Sequence, residues 1–296
     1  MKKPPPLSIE VPNEWDGRTV FSLLRTYLHL SRGMVRRLKG SAGILRNGEP
    51  VYLNQPCRGG DRITLYLEPL EQGYLFPESL PLTIVYEDDD LVIIDKPSGM
   101  LVHPVHSQTS GTLANGLVAH WLSREEAASF HPVHRLDKLT SGLIMIAKNP
   151  WCHQQIARQL TDRTMRRMYL AFCRGSLDRI SGVIALPLKE TQYVMKREIA
   201  PEGKPAITRY RVLRYAPNGT LVAVKLLSGR THQIRAHFAG IGHPLWGDPL
   251  YGPAEPSLSR LALRAVKLSF THPRTGSRLV FKAPVPDNCM DWQDTE

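Results

Sequence analysis

The sequence predicts an α+β protein, in which a small N-terminal domain of helices and a hairpin precedes a larger domain rich in β-strands. Apolar residues recur at helical spacing early in the chain, and a tight Asn47-Gly48 turn then separates two short apolar runs. Beyond residue 82, short apolar runs and alternating stretches predominate, which is typical of strands. A chain of 296 residues is long enough for two such domains.

The chain is basic, with 38 Lys and Arg residues against 27 Asp and Glu residues and a net charge of +11. This excess predicts a polyanionic partner, most often nucleic acid, although a basic face can also simply be solvated. Four cysteines without a close pair argue against a disulfide framework or a zinc ribbon and favour a reducing compartment. The sequence has neither the apolar run of a signal peptide nor the roughly 20 apolar residues of a membrane span. We therefore expect a cytoplasmic monomer with no membrane association.

The small domain is predicted over residues 15–68, after an extended lead-in over residues 1–14 that contains four prolines and few core residues. Apolar side chains recur at helical spacing from Val20 to Leu28, which predicts a first helix. Ser31 can cap a second helix through its hydroxyl group.

Basic side chains follow one another on this second helix at spacings that place them in a single surface stripe: Arg32, Arg36 and Lys39. Further along, Gly59-Gly60-Asp61 predicts a turn into a strand over residues 62–67. Prolines indicate a linker over residues 69–81, and the larger domain is predicted over residues 82–296. The four consecutive carboxylates at residues 87–90 predict a solvated turn near its start.

The larger domain alternates between strand and helix signals. The predicted helices span about residues 113–121, 150–160 and 231–239, and Thr231 can cap the third. The predicted strands cover residues 91–94, 143–147, 165–174, 262–270 and 278–282. Alternation in the third strand places Arg167, Tyr169 and Ala171 on its more polar face, where the ordinary interpretation of Tyr169 is a half-buried sheet tyrosine.

Asp137 lies in a polar loop that leads directly into the apolar run Leu143–Ala147, with Arg135 and Lys138 beside it. Working side chains are often held in loops at the ends of such rigid strands. A single Asp in a loop more commonly caps a turn through its side chain. The neighbouring residues favour the functional interpretation here.

His134-Arg135-Leu136-Asp137, followed two residues later by Thr140-Ser141-Gly142-Leu143, resembles the catalytic signature of the RluA family of RNA pseudouridine synthases. Further motifs resembling this family stand at residues 88–100 with His103-Pro104, at residues 167–171, and at residues 229–237 with 242–252. Arg167 stands where the family more often has Lys. The likeness spans about residues 80–285 and implies a mixed, mainly antiparallel β-sheet domain with flanking helices and loops.

Residues 15–68 resemble the small RNA-binding domain named for ribosomal protein S-four, which many RluA-family enzymes carry. The spacing around Ser41-Ala42-Gly43 differs from the usual pattern of that domain. The resemblance implies that the basic helix contacts RNA phosphates through Arg32, Arg36, Arg37 and Lys39. A merely solvated basic face is the alternative.

The family resemblance implies a uridine isomerase that needs no cofactor and no metal. It assigns Asp137 as the catalytic aspartate, Arg235 as the arginine that pairs with it, and Tyr169 as the ring that stacks on the target base. A guanidinium would favour the charged form of a carboxylate that burial alone would neutralise. Whether Asp137 attacks the base or the sugar, or removes a sugar proton, stays open. The remaining substrate and RNA contacts are expected at His134, Arg135, Thr140, Arg167 and Arg230.

Other functions leave weaker traces in the sequence. Two copies of His-Pro-Val-His suggest a metallohydrolase, but no His-Glu-x-x-His motif or cysteine cluster accompanies them. No phosphate-binding glycine motif supports a nucleotide cofactor. A non-catalytic RNA-binding or ribosome-assembly protein on the same fold is the serious alternative. Among RNA targets, we expect large-subunit ribosomal RNA first and transfer RNA second.

Overall fold

The computed structural model describes residues 1–70, 73–191, 196–253 and 260–284 of the chain. The small domain contains an antiparallel sheet of four strands in the order β1-β4-β2-β3. Its strands are β1 (Leu7–Glu10), β2 (Ile44–Arg46), β3 (Glu49–Pro50) and β4 (Arg62–Leu65). Its helices are a 3₁₀ turn (Asn13–Trp15), α1 (Val20–Ser22), which continues as a π-helix (Leu23–Tyr27), and α2 (Arg32–Gly40).

The prediction of an extended lead-in over residues 1–14 is wrong for Leu7–Glu10, which form β1. This strand pairs with β4 along its whole length, and Leu7 and Val11 are buried in the core. The four prolines flank the strand rather than interrupt it, so they remove no hydrogen bond from the ladder. The small domain therefore begins before residue 15.

Local signals in the small domain are confirmed where they depend on neighbouring residues alone. The Ser31 hydroxyl accepts a hydrogen bond from the Met34 amide (3.2 Å) and so caps α2. Asn47 and Gly48, at φ of 53° and 91°, form the turn between β2 and β3 in the left-handed conformation that such a turn requires.

Among the described residues, ten strands of the larger domain form one sheet, with a main path in the order β10-β13-β14-β9-β15-β8-β6-β5. Two short strands complete it, β16 beside β15 and β7 beside β8. All pairs in this sheet are antiparallel except β15 with β8, so the predicted mixed, mainly antiparallel sheet is confirmed. The first five of these strands along the chain are β5 (Ile84–Glu87), β6 (Leu91–Lys96), β7 (His131–Pro132), β8 (Ser141–Ala147) and β9 (Arg166–Arg174). The others are β10 (Ser181–Ile184), β13 (Thr208–Ala216), β14 (Gly219–Leu226), β15 (Leu263–Thr271) and β16 (Arg278–Lys282).

Three helices and one separate hairpin pack around this sheet. The helices are α3 (Leu113–Ser123), α4 (Pro150–Thr161) and α5 (Gln233–Gly240), close to the predicted spans. Thr112 and Asn149 cap the first two through their side chains. The hairpin consists of β11 (Leu188–Glu190) and β12 (Arg197–Ile199), and it packs beside α5.

The parallel pairing of β8 with β15 brings two backbones together immediately after the loop that carries Asp137. Gly142 has φ of +106°, and a Cβ there would lie 2.2 Å from the carbonyl oxygen of Ala265. Only glycine fits this close approach, because a side chain would meet backbone that cannot move aside. The loop before β8 is therefore fixed at its carboxyl end by the sheet itself.

The two domains share one apolar core through α4. Its residues Trp151 and Ile156 belong to the same buried cluster as Leu24 and Leu38 of the small domain. Polar contacts reinforce the packing, since the Gln155 side chain donates to the Leu28 carbonyl (3.1 Å). Gln154 also bonds the small domain, accepting from the Ser31 amide (3.1 Å) and donating to the His29 carbonyl.

The predicted solvated turn at residues 87–90 is wrong, because three of its four carboxylates are bound to the protein. Asp90 is buried and receives both a 2.5 Å and a 2.8 Å hydrogen bond from Arg274. Asp88 bonds the imidazole of His272 (2.9 Å), and Glu87 bonds the buried ammonium of Lys148 (3.0 Å). Long-range partners that sequence spacing does not reveal turn this acidic run into an ion-pair network.

Within the described ranges, every helix is too short or too polar to cross a lipid bilayer.

Candidate active site

A cavity of about 930 Å³ opens between the loop before β8, the start of β9, the end of β14 and the start of α5. It contains all eight side chains predicted for the catalytic site and its immediate substrate contacts: His134, Arg135, Asp137, Thr140, Arg167, Tyr169, Arg230 and Arg235. These residues come from segments up to about a hundred positions apart, and only the fold brings them together.

Asp137 is held by main-chain contacts on both sides of its loop. The Thr140 amide donates to the Asp137 carbonyl (3.1 Å), which closes a turn before Gly142. The fully buried ammonium of Lys96 donates to the carbonyls of Pro97 (2.9 Å), Met100 (2.8 Å) and Lys138 (3.2 Å). Burial lowers the pKa of Lys96 to about 8, while the charge of Asp137 acts in the opposite direction. Lys96 therefore anchors the loop beside Asp137 and places a cation behind it.

Arg235 lies on the first turn of α5 and is 4% exposed. Its strongest partner is Asp248, whose two oxygens accept hydrogen bonds of 2.8 Å from Nε and from Nη2. The third nitrogen, Nη1, lies 3.6 Å from the Asp137 carboxylate. The predicted pairing with Asp137 is thus the longer of two contacts, and Asp248 was missed. Asp248 stands in the family-like motif at residues 242–252, but its distance of 13 residues from Arg235 gives no periodic signal.

His232 is a second residue at this end of α5 that sequence reasoning missed. Its Nε2 lies 3.9 Å from the Asp137 carboxylate, and its backbone is left-handed (φ 55°, ψ 18°). His232 occupies the N-cap position that was predicted for Thr231, so that prediction is wrong. No side chain caps the helix there. Instead, the buried amide oxygen of Gln233 accepts from the Arg230 amide (3.0 Å) and holds the loop before the helix.

Tyr169 projects from β9 into the cavity wall and is 3% exposed, so it is a buried residue rather than the half-buried one of the ordinary interpretation. Burial raises the pKa of the Tyr169 phenol, and the charge of the Arg167 guanidinium acts against this shift. The phenol is accordingly protonated at neutral pH and can donate a hydrogen bond as well as offer a ring face.

The other predicted contacts divide by exposure. Arg135 and Arg230 are exposed at the cavity mouth, where phosphates can reach them. His134 is buried, and its Nε2 accepts a hydrogen bond from the Met145 amide (3.3 Å). Burial lowers the pKa of His134 to about 3, so its ring is neutral. Thr140 is also buried, and its RNA contact, like that of His134, stays a prediction.

The basic residues of the small domain do not belong to this cavity. All four predicted phosphate contacts are exposed on α2: Arg32, Arg36, Arg37 and Lys39. The charge of Arg37 helps to lower the pKa of the His131 imidazole, although burial has the larger effect. His131 directly precedes Pro132, which lines the cavity. The exposed face of α2 and the cavity are therefore two separate regions of predicted RNA contact.

One group of the described residues brings possible metal ligands together, namely Asp88, Asp90 and His272, whose ligand atoms lie within 4.8 Å. The carboxylate of Asp90 is taken up by Arg274, and His272 is bonded to Asp88. These atoms already have protein partners and do not line the cavity. The two His-Pro-Val-His copies form no such group within the described part of the chain.

Two family models match this chain. The family model for RNA pseudouridylate synthase matches residues 90–240, and the model for the N-terminal domain of RluD ribosomal pseudouridine synthase matches residues 7–63. The second match is consistent with a small domain that begins at β1.

Relatives match along most of the chain. An uncharacterized RNA pseudouridine synthase, YhcT of Bacillus subtilis, is 37% identical over 285 residues, covering 95% of this chain and 94% of its own. Ribosomal large subunit pseudouridine synthase D of Neisseria meningitidis serogroup B is 35% identical over 298 residues, covering 95% and 79%. The structure of human RNA pseudouridylate synthase domain containing 1 superposes with a TM-score of 0.58 at 26% identity, covering 70% and 84%. The family and the enzyme class predicted from the sequence are confirmed, and the chain belongs to the RNA pseudouridylate synthase family.

Proposed function

We propose that this protein isomerises specific uridines of large-subunit ribosomal RNA to pseudouridine in the cavity around Asp137. One observation carries the proposal: Asp137, Tyr169 and Arg235, from three distant segments of the chain, line the same cavity. A cavity of about 930 Å³ has room for one nucleotide with part of its backbone.

The reaction rearranges bonds without changing the composition of the nucleotide. The bond between the sugar C1′ and the ring N1 breaks, the base turns, and C1′ bonds to C5. The hydrogen on C5 leaves as a proton, and N1 gains a proton. No electron acceptor and no leaving group are needed, so the side chains of the cavity suffice. Asp137 supplies the carboxylate, whether it attacks the base or the sugar or takes a sugar proton.

Arg235 and Tyr169 lie in the cavity with this carboxylate. The guanidinium is fixed by Asp248 on one edge and presents its remaining nitrogen to Asp137 at 3.6 Å. The Asp137 carboxylate is therefore not tied up in a short hydrogen bond to the guanidinium, while the positive charge stays beside it. The ring of Tyr169 is buried in the cavity wall, which suits stacking against a uracil, and its protonated phenol can donate a hydrogen bond.

The target uridine must leave the RNA stack to reach a side chain that is 15% exposed, at a cost of a few kcal/mol. Contacts with the neighbouring phosphates offset this cost. Arg135 and Arg230 are exposed at the mouth of the cavity and can hold the flanking backbone. The stripe on α2 offers a second set of phosphate contacts farther along the RNA.

The ribosomal target is supported by the small domain, which matches the N-terminal domain of a ribosomal pseudouridine synthase. It is also supported by relatives named large-subunit enzymes. Transfer RNA is the second candidate, because the isomerisation is the same for a uridine in either class of RNA. A map of pseudouridines in RNA from cells with and without the gene would assign the position.

Release of tritium from RNA labelled at C5 of uridine tests the activity directly, because forming the C1′–C5 bond expels that hydrogen. We expect release from large-subunit ribosomal RNA isolated from cells in which the gene is deleted. Release from transfer RNA alone would reassign the target. Tight binding with no release from any cellular RNA would instead support a protein that binds RNA without modifying it.

A further inference from the structure

The backbone of His232 adopts a conformation that needs a reason. It lies in the left-handed region (φ 55°) at the residue before α5, although it is not glycine. Non-glycine residues held there are often at functional sites, where the surrounding contacts enforce the conformation. This backbone conformation directs the imidazole into the cavity, where Nε2 lies 3.9 Å from the Asp137 carboxylate.

Tyr251 supports this imidazole from outside the cavity. Its hydroxyl oxygen accepts a hydrogen bond from the main-chain amide of Arg197 (2.6 Å) and lies 3.3 Å from Nδ1 of His232. Its ring packs edge-on against the imidazole, with centroids 5.8 Å apart and planes at 88°. Arg235 lies over the same ring, with its guanidinium carbon 5.1 Å from the centroid. Tyr251 therefore contacts both residues at this end of α5 that face Asp137, namely His232 and Arg235.

The hydrogen bonds of Tyr251 suit one tautomer of His232. An amide can only donate, so the Tyr251 oxygen is the acceptor of the bond from Arg197. The phenolic proton can then be donated to Nδ1 of His232, in the tautomer that leaves Nδ1 without a proton. Burial lowers the pKa of His232, although Asp137 acts in the opposite direction, so the ring is neutral. A neutral ring that accepts at Nδ1 carries its proton on Nε2, the atom that faces Asp137.

We infer that Tyr251 and His232 form a relay that positions Asp137, with the Tyr251 hydroxyl fixing the tautomer in which His232 presents an N–H group to the catalytic carboxylate. Arg235 offers Asp137 only one nitrogen, at 3.6 Å, because the other two bond Asp248. The relay also couples Asp137 to the hairpin β11–β12, since the amide that binds Tyr251 belongs to the first residue of β12. The inference rests on the proposed role of Asp137.

Tyr251→Phe isolates the hydroxyl group, because it keeps the ring and its contacts with His232 and Arg235. We expect kcat for tritium release to fall about five-fold, the effect of one lost neutral hydrogen bond, with unchanged KM and unchanged affinity for ribosomal RNA. Tyr215→Phe is the matched control, since it loses a single hydroxyl bond to the Leu177 carbonyl (3.1 Å) and does not line the cavity. If the Tyr251 hydroxyl had only a structural role, kcat for tritium release would stay at the wild-type value in both variants.

The coupling of the two residues is tested with His232→Asn, because Asn tolerates the left-handed backbone but is too short to reach both partners. We expect Tyr251→Phe to lower kcat in the wild-type background and to have no further effect in the His232→Asn background. An equal effect in both backgrounds, or wild-type kcat in Tyr251→Phe, would overturn the relay. Both experiments require that the wild-type protein releases tritium. A wild-type protein that is inactive on every RNA would refute the proposed function and not the relay.

Discussion

Arg235 divides its guanidinium between two carboxylates, and the division explains how a buried site can hold two acidic groups. Asp248 receives the paired hydrogen bonds of 2.8 Å, whereas Asp137 faces the remaining nitrogen at 3.6 Å. Asp248 therefore orients the arginine, and Asp137 is left without a short side-chain partner among the described residues. A carboxylate in that situation keeps its lone pairs available for a substrate.

Asp137→Asn tests the central residue with almost no change in shape. We expect tritium release from ribosomal RNA to be abolished, because the amide can neither act as a nucleophile nor accept a proton. RNA affinity measured by filter binding should stay within a few-fold of wild type, since the substitution leaves the proposed phosphate contacts unchanged. Asp162→Asn, an exposed carboxylate at the end of α4, is the control and should retain activity. A loss of affinity as large as the loss of activity would make Asp137 a structural residue.

Asp248→Asn tests the support of Arg235. It removes the charge that compensates a buried guanidinium, and breaking a buried pair in this way typically costs about 3 kcal/mol or more of unfolding free energy. Urea denaturation measures the change. Glu202→Gln is the matched control, because its ion pair with Lys189 is short (2.7 Å) but exposed and should contribute little. Equal losses in the two variants would show that the Arg235–Asp248 pair has no special structural role.

At the scale of elements, α4 joins the small domain to the cavity. Its first half packs in the shared core and bonds the small domain through Gln154 and Gln155, and its last residues line the cavity wall. The segment predicted as a linker is also anchored, since the Asn115 side chain donates to the Phe76 carbonyl (2.8 Å). The basic stripe of α2 is therefore held in a defined position relative to Asp137.

Replacing the stripe on α2 by alanine at Arg32, Arg36 and Lys39 tests whether it binds RNA. We expect weaker binding and a salt dependence that is shallower by about 2 to 3 units of slope, since each phosphate contact contributes about 0.9. The kcat at saturating RNA should not change, because the cavity is untouched.

The comparison set is Arg209, Arg211 and Arg214, three exposed arginines on β13 whose replacement removes the same charge. The stripe has a specific role in RNA binding if its replacement changes the salt dependence of RNA affinity more than replacement of these three arginines does. Equal changes would mean that only the total charge of the protein matters.

At the scale of the whole molecule, the sequence was informative for most local signals, though not for the Thr231 cap, and for the long motifs. It located the main helices, the Asn47-Gly48 turn and eight of the residues that line the cavity. It missed Asp248 as the partner of Arg235 and His232 as a neighbour of Asp137, because no spacing rule predicts these contacts. The same limit explains β1, whose partner strand lies more than 50 residues away, and the acidic run at residues 87–90.

That acidic run links parts of the molecule that are far apart in sequence, and it makes stability depend on pH. Asp88 lies at its centre, where hydrogen bonds from His272, Tyr86 and two main-chain amides overcome the effect of burial and lower its pKa from 3.8 to about 2. A carboxylate with a depressed pKa in the folded state stabilises that state above the unfolded pKa, and the contribution disappears as the pH falls through the folded pKa. The relevant window is therefore from about pH 4 down to about pH 2.

Asp88→Asn removes this titration. Near pH 6 we expect wild type to exceed the variant in unfolding free energy by roughly 2 kcal/mol, and at pH 3 the difference should shrink to roughly half. Urea denaturation at the two pH values measures both differences. Glu14→Gln, an exposed carboxylate of the small domain, should show no such difference. If the gap between wild type and Asp88→Asn stayed constant between pH 6 and pH 3, the stabilisation would come from packing and not from the charge of Asp88.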